Sequence, residues 1–225
     1  MTDPPVVLVH GFATSADRTW RDNGWIDLLT DVGREVIAID LLGHGHAEKP
    51  HDPAAYERLE SLVAEQLPDE PADAIGFSLG ARVLLTIAAD QPERFHRLVV
   101  TGVGANLFRD DPRDLITSAI RGEGDTENPV AQYFAGLARQ PGNDRDALLA
   151  CMQSPRPQLD DGRLAKVTCP VLVVIGDRDF AGPGDPLVEA LPDATLLLLA
   201  GADHFVTPKD FRTIDAALNF LGVAI

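Results

Sequence analysis

Gly76-Phe77-Ser78-Leu79-Gly80 is a G-x-S-x-G stretch with an apolar run before it (Ala74-Ile75) and apolar helical positions after it (Val83, Leu84, Leu85, Ile87, Ala88). A serine between two glycines where a strand meets a helix sits on a sharp turn, its hydroxyl pushed out at the top of a sheet. The glycines leave room where a side chain would collide with neighbouring backbone. With 5 serines and 19 glycines in 225 residues, chance produces such a match roughly 0.04 times.

Outward from that turn, short apolar runs alternate with helical patterns. Val6 to Val9, Val36 to Ile39, Ala74 to Phe77, Leu98 to Val100, Val171 to Ile175 and Thr195 to Leu199 read as strands. They are rich in Val, Ile and Leu with little polar alternation, as expected of a parallel sheet covered on both faces. Tyr56, Leu59, Val63 and Leu67 follow helical spacing, as do Phe211, Ile214, Leu218 and Leu221. The alternation implies right-handed crossovers and an α/β fold with an open, mostly parallel sheet of six strands flanked by helices.

One interval breaks the rhythm. Residues 104–165 carry no convincing strand but three helix-start signals. Asp111-Pro112 precedes Leu115, Ile116, Ala119 and Ile120. Asn128-Pro129 precedes Val130, Tyr133, Phe134 and Leu137. Asn143-Asp144 precedes Leu148, Cys151 and Met152. Asp or Asn at a helix N-cap accepts an orphan N–H, and proline at the first helical position has none to lose. The expected organisation is a core of residues 1–103 and 166–225 with a helical lid, 104–165, inserted between core strands.

A serine hydroxyl is a weak nucleophile and needs a base, a group to orient that base, and donors for a developing oxyanion. His204, in Gly201-Ala202-Asp203-His204-Phe205, lies just past the last strand, and ligand chemistry in open α/β sheets gathers at such strand ends. His44 and His46 fall in a Gly-rich loop, His51 and His96 in polar stretches beside helices. Gly176-Asp177-Arg178-Asp179-Phe180 supplies the acid. Asp179 is farther from the strand end and freer to bend toward the histidine. Asp177 suits a loop brace that bonds backbone N–H groups.

Ser78, Asp179 and His204 follow the order Ser…Asp…His, and over essentially its whole length the chain resembles the α/β-hydrolase superfamily, as a small, lidded serine hydrolase. Val7 to Phe12 is similar to the family's first-strand H-G motif, and Asp40-Leu41-Leu42-Gly43-His44-Gly45 to its D-x-x-G-x-G turn. Gly76 to Gly80, Gly176 to Asp179 and Gly201 to His204 resemble its elbow, acid turn and histidine loop. The resemblance implies an oxyanion hole from the backbone N–H groups of Phe12 and Leu79, with His10 as a loop brace. The family's two leading antiparallel strands are missing here, and Ala47 stands where many relatives have serine. Relatives with aspartate at the elbow open epoxides or displace halide, so Ser78 favours acyl transfer instead.

Composition sets limits. Lys plus Arg total 19 against 35 Asp plus Glu, a formal net charge of −16. Such a surface repels phosphate backbones, so no nucleic-acid partner is expected. Cys151 and Cys169 stand alone without C-x-x-C, so no metal, cofactor or disulfide framework is indicated. No run reaches membrane-spanning length, and no signal peptide is recognisable, so a cytoplasmic location without membrane contact is expected.

Apolar residues near these loops outline a pocket. Phe108, Tyr133, Phe134, Leu137 and Met152 from the lid interval face Phe77, Phe180 and Phe205 from the catalytic loops in this reading. A small apolar pocket suits a carboxylic ester of a small apolar or aromatic substrate, cleaved through an acyl-enzyme. Arg82, four residues after the serine, keeps open a lyase resembling the menaquinone-pathway synthase of this superfamily, which uses the same triad for proton abstraction and elimination. A non-catalytic ligand-binding receptor on the same fold is the third reading. The lid arginines Arg109, Arg113, Arg121 and Arg139 offer charge for an anion, although arginines on helix surfaces usually do not bind one.

Overall fold

A computed structural model of the chain describes residues 3–109, 113–123 and 127–223. Six strands form one sheet: β1 (Val6–Val9), β2 (Val36–Ile39), β3 (Ala72–Phe77), β4 (Phe95–Thr101), β5 (Val171–Gly176) and β6 (Ala194–Leu199). Their order is β2-β1-β3-β4-β5-β6, and every neighbouring pair is parallel. The sheet is thus the open, parallel one that the apolar runs imply. β6 starts one residue before its apolar run, at Ala194, and β3 and β4 start earlier still. Asp73 in β3 and His96-Arg97 in β4 are polar, and they hide the first residues of those strands.

Alternation along each strand feeds two cores. Val7, Val9, Ala74, Leu98, Val100, Val171 and Val173 point to one face, and Val6, Leu8, Ile75, Val99, Leu172 and Val174 to the other. The first face is covered by α2 (Leu59–Ala64) and α3 (Leu79–Asp90), the second by α1 (Trp25–Asp31) and α9 (Phe211–Phe220). On the second face Trp20 and Trp25 meet edge to face, and Trp25 Nε1 donates to Pro208 O, which ties α1 to the segment before α9.

Asp73 is fully buried and paired with Arg34 at 2.5 Å. The guanidinium also bonds Pro4 O, so the charge is held at the N-terminal rim of the sheet, opposite the candidate site.

Between β4 and β5 lie α4 (Arg113–Arg121), α5 (Pro129–Ala138), α6 (Arg145–Gln153) and the short α7 (Asp161–Leu164). Asn128 and Asp144 cap α5 and α6 by accepting two backbone N–H groups each. The start signal at Asp111-Pro112 lies outside the described residues. The last crossover carries α8 (Asp185–Ala190) between β5 and β6. Among the described residues, no helix is long and apolar enough to cross a membrane.

Candidate active site

The chain leaves β1 toward β2 on one side, while β3 pairs with β1 on the other, so strand order switches between β1 and β3. Loops after these strands diverge there and leave a crevice at the C-terminal rim. Ser78 sits on that rim between β3 and α3.

Its backbone has φ 51° and ψ −108°, a conformation rare for any residue but glycine. The neighbours hold it there. Ser78 N–H donates to Thr101 O at 2.8 Å, and Thr101 Oγ1 donates to Gly76 O at 3.1 Å, which fastens the turn to β4. The flanking glycines let α3 pack directly on the sheet. A Cβ on Gly80 would lie 2.2 Å from Val9 O and 2.5 Å from His10 O, and one on Gly76 would lie 2.6 Å from Ala81 Cα. Gly80→Ala is therefore expected to lift α3 off β1 and cost about 3 kcal/mol, as overpacking against fixed backbone does. Urea unfolding checks it, and an unchanged midpoint would contradict this packing.

Three side chains from three loops meet at the turn. His204 Nε2 is 3.0 Å from Ser78 Oγ, and His204 Nδ1 is 2.9 and 3.0 Å from the two oxygens of Asp179. His204 is 2% exposed and Asp179 8%. The carboxylate on Nδ1 fixes the tautomer, so Nε2 is left with its lone pair toward the serine hydroxyl. Asp179 also accepts the N–H of Ala181 at 2.8 Å, which holds its orientation. Phe77, Phe180 and Phe205 pack around the imidazole at centroid distances of 5.0, 4.3 and 5.1 Å. Asp177 instead accepts the N–H of Gly201 at 2.8 Å and ties the loop after β5 to the loop carrying His204.

The backbone N–H groups of Phe12 and Leu79 have no acceptor among the described residues. Leu79 opens α3, so its N–H is one of the donors that no turn of the helix can satisfy. His10 braces the loop after β1. Its Nδ1–H donates to Gly11 O at 2.7 Å, and its Nε2 accepts the N–H of Leu41 at 3.0 Å.

The loop after β2 is an electrostatic clasp. Burial alone would raise the pKa of Asp40, but the N–H groups of Ala16 and His46, which its two oxygens accept, outweigh it and hold the carboxyl well below its usual range. His44 is wholly buried, and burial pushes its pKa down to about 3. The unfolded ring titrates near ~6.5. The unfolded chain therefore takes up the proton first as the solution becomes acid. Stability is intact above that value and is lost by a few kcal/mol, in order of magnitude, as pH falls toward the folded value. Asn at position 44 would keep a donor for Leu42 O without titrating. Urea midpoints near neutrality and near ~pH 4 should fall further for the native chain than for His44→Asn. Equal losses would contradict the assignment to His44.

Two cavities open on Ser78. The smaller, about 140 Å³, is lined by Phe77, Tyr133, Leu137, His204, Phe205 and the polar Thr14, Arg18, Asn23 and Lys209. The larger, about 330 Å³, is lined by Leu79, Arg82, Met152, Phe180 and the apolar Val103, Leu107, Ile116 and Val130. Phe12 and Phe134 border both. One residue of the sequence-based pocket is elsewhere: Phe108 lines neither cavity and is 39% exposed at the end of a 3₁₀ turn. That turn folds back onto the loop after β5, where Ala105 N–H and Asn106 N–H bond Pro183 O and Ala181 O, and Leu107 rather than Phe108 faces inward. Arg156, in Pro155-Arg156-Pro157, is a further residue that lines the larger cavity. An arginine fixed between two prolines was the available signal.

A family model described as alpha/beta hydrolase fold matches residues 4–123. The chain belongs to the α/β-hydrolase fold family. Among α/β-hydrolase relatives, it is 30% identical to a pimeloyl-[acyl-carrier protein] methyl ester esterase of Neisseria meningitidis, over 88% of this chain and 70% of that protein. It is 28% identical to a 2-hydroxymuconate semialdehyde hydrolase of Pseudomonas sp. (strain CF600), over 93% of this chain and 74% of that protein. The enol-lactonase from Burkholderia xenovorans LB400 superposes with a TM-score of 0.73 at 20% identity, over 99% of this chain and 92% of that one, a likeness of fold.

Proposed function

We propose that the chain is a serine hydrolase that cleaves a carboxylic ester of a small, largely apolar substrate. The observation that carries this reading is the hydrogen-bonded line Ser78–His204–Asp179, whose serine lines both cavities. Relatives named as an esterase and a hydrolase support it.

In this mechanism Ser78 Oγ attacks the ester carbonyl while Nε2 of His204 accepts its proton. Asp179 keeps the ring oriented and stabilises the imidazolium that forms. The N–H groups of Phe12 and Leu79 receive the oxyanion, each donor contributing about 2.7–4 kcal/mol to the transition state. His204 then gives its proton to the leaving alcohol, and water activated by the same ring hydrolyses the acyl-enzyme.

The imidazole assigns the two cavities. A leaving alcohol must lie beside the ring that protonates it, and His204 lines the smaller cavity. The alcohol therefore occupies that side and the acyl chain the larger one. Residues 104–165 form the lid, because Tyr133, Phe134 and Leu137 of α5 and Met152 of α6 cover both cavities. Tyr133 stacks on Phe205 with ring centroids 3.5 Å apart and closes the alcohol side.

A panel of aryl esters of rising acyl length tests the reading. Turnover should depend on Ser78, and the acyl side should accept longer groups than the alcohol side. Faster conversion of an anionic dienoate than of any ester would favour elimination instead. Absence of turnover with every ester would remove the esterase reading.

A further inference from the structure

We infer that Asn143 is a positioning residue for the oxyanion site: its side-chain amide holds the loop after β1 so that the Phe12 N–H faces the reacting carbonyl. The inference rests on the esterase reading for the role of that N–H.

The loop runs tight against the nucleophile. A Cβ on Gly11 would lie 2.8 Å from Phe77 Cδ1 and 3.4 Å from Ser78 Cβ. Two residues on, Ala13 has φ 58°, in the left-handed region that disfavours a side chain. The two ends of the loop are fastened to the loop after β2. His10 Nε2 accepts the N–H of Leu41 at 3.0 Å, and Ala16 N–H donates to Asp40 Oδ1 at 2.8 Å. The middle is fastened from elsewhere. Asn143 Nδ2 donates to Ala13 O at 3.0 Å and to Leu137 O at 2.8 Å. Both amide hydrogens are used, one on the loop and one on the last turn of α5. Among the described residues, no backbone N–H donates to Ala13 O.

Local sequence sets Asn143 in place. Gln140-Pro141-Gly142-Asn143 is a turn closed by Asn143 N–H to Gln140 O at 3.2 Å. Proline second and a glycine at φ 87° third are the marks of a type II turn. Asp144 then caps α6, so Asn143 is held between a turn and a helix start. Arg18 braces the same turn by donating to Gln140 Oε1 at 3.4 Å and to Pro141 O. Phe12 meets Phe134 of α5 edge to face at 5.8 Å. The oxyanion loop thus leans on the turn between α5 and α6, 130 residues away in sequence.

Placement matters because a donor acts only where charge develops. Without the amide, Ala13 loses the bond that opposes its return to an ordinary φ. A misplacement of about 1 Å can cost about 10²-fold. The ground state makes little demand on that N–H, so the loss falls on the transition state.

Asn143→Leu tests the inference, being of similar size, uncharged and without a hydrogen to give. Its kcat for 4-nitrophenyl butyrate should fall about 10 to 100-fold, with KM within about threefold of the parent. Butyl trifluoromethyl ketone reads the oxyanion site directly. Ser78 Oγ adds to its carbonyl carbon, the hydroxyl proton passes to His204 Nε2, and the carbonyl oxygen becomes the oxyanion. Its affinity should weaken by the same factor as kcat, while that of butyl methyl ketone should stay within about twofold. Asn143→Gln keeps the amide and should recover part of both losses.

Unchanged kcat and unchanged trifluoromethyl ketone affinity would overturn the inference and leave the esterase reading standing. So would a loss carried by KM and shared by butyl methyl ketone, which marks a role in packing alone. A native chain that neither turns over the ester nor binds the trifluoromethyl ketone would bring down the esterase reading, and this inference with it. If Asn143→Leu does not fold, Asn143→Ser, uncharged and too short to span both carbonyls, gives the same readings.

Discussion

Ser78→Ala should lower kcat/KM for an aryl ester by about 10⁴ to 10⁶-fold while leaving the fold intact. The size follows from what the hydroxyl does. Without Oγ no acyl-enzyme forms, and the oxyanion donors and cavities can only assist direct attack by water. The rest of the elbow does not depend on the hydroxyl, because the turn is fixed by backbone bonds from Ser78 to Thr101 and from Arg82 to Ser78. Unfolding of the variant should therefore track the parent. A loss of less than about tenfold would place the nucleophile elsewhere.

Asp179→Asn should cost about 10⁴-fold in kcat with little change in shape. Asp179 is buried, and its oxygens sit 2.9 and 3.0 Å from His204 Nδ1. An amide can meet that nitrogen with its NH₂ group, which turns Nδ1 into the acceptor and moves the proton to Nε2. The imidazole would then donate toward Ser78 when it needs to accept. KM should change far less than kcat, since Asp179 lines neither cavity. Asp177→Asn serves as the contrast. Asp177 bonds Gly201 N–H, outside the proton path, so its loss should loosen the histidine loop without reversing the tautomer. Equal kcat losses in both variants would contradict the separate roles.

Much of this arrangement is legible in the chain itself. Val, Ile and Leu runs mark strands covered on both faces, and the glycines around Ser78 mark a turn that tolerates no side chain. The order Ser…Asp…His carries the candidate triad because each member follows a strand, and parallel strands deliver their C-terminal ends to one rim. Asp179 reaches farther past the end of β5 than Asp177, and that reach is read from spacing.

What the sequence hides depends on tertiary contacts. Asp73 looks like a strand terminator, yet it lies within β3 because Arg34, distant in sequence, supplies its counter-charge. Phe108 looks like a pocket aromatic, but the 3₁₀ turn gives the inward position to Leu107. Arg156 has no periodicity to place it, and only the packing of the loop after α6 brings it to the cavity. The division into two unequal cavities depends on how α5 and α6 lie over the rim, which no local pattern encodes.

Under the proposed ester hydrolysis, the separation of the cavities also shapes selectivity. The alcohol side is small, with Arg18, Asn23 and Lys209 among its lining, while the acyl side combines aliphatic walls with arginines. The proposed ester would then be oriented by two different chemistries and not by size alone.

The most direct test of the central claim is the site of covalent modification by a fluorophosphonate, read by peptide mass spectrometry. One adduct is expected, on the peptide carrying Ser78, formed rapidly in the native chain and far more slowly in His204→Gln. An adduct on another residue, or equal rates in the two proteins, would contradict it.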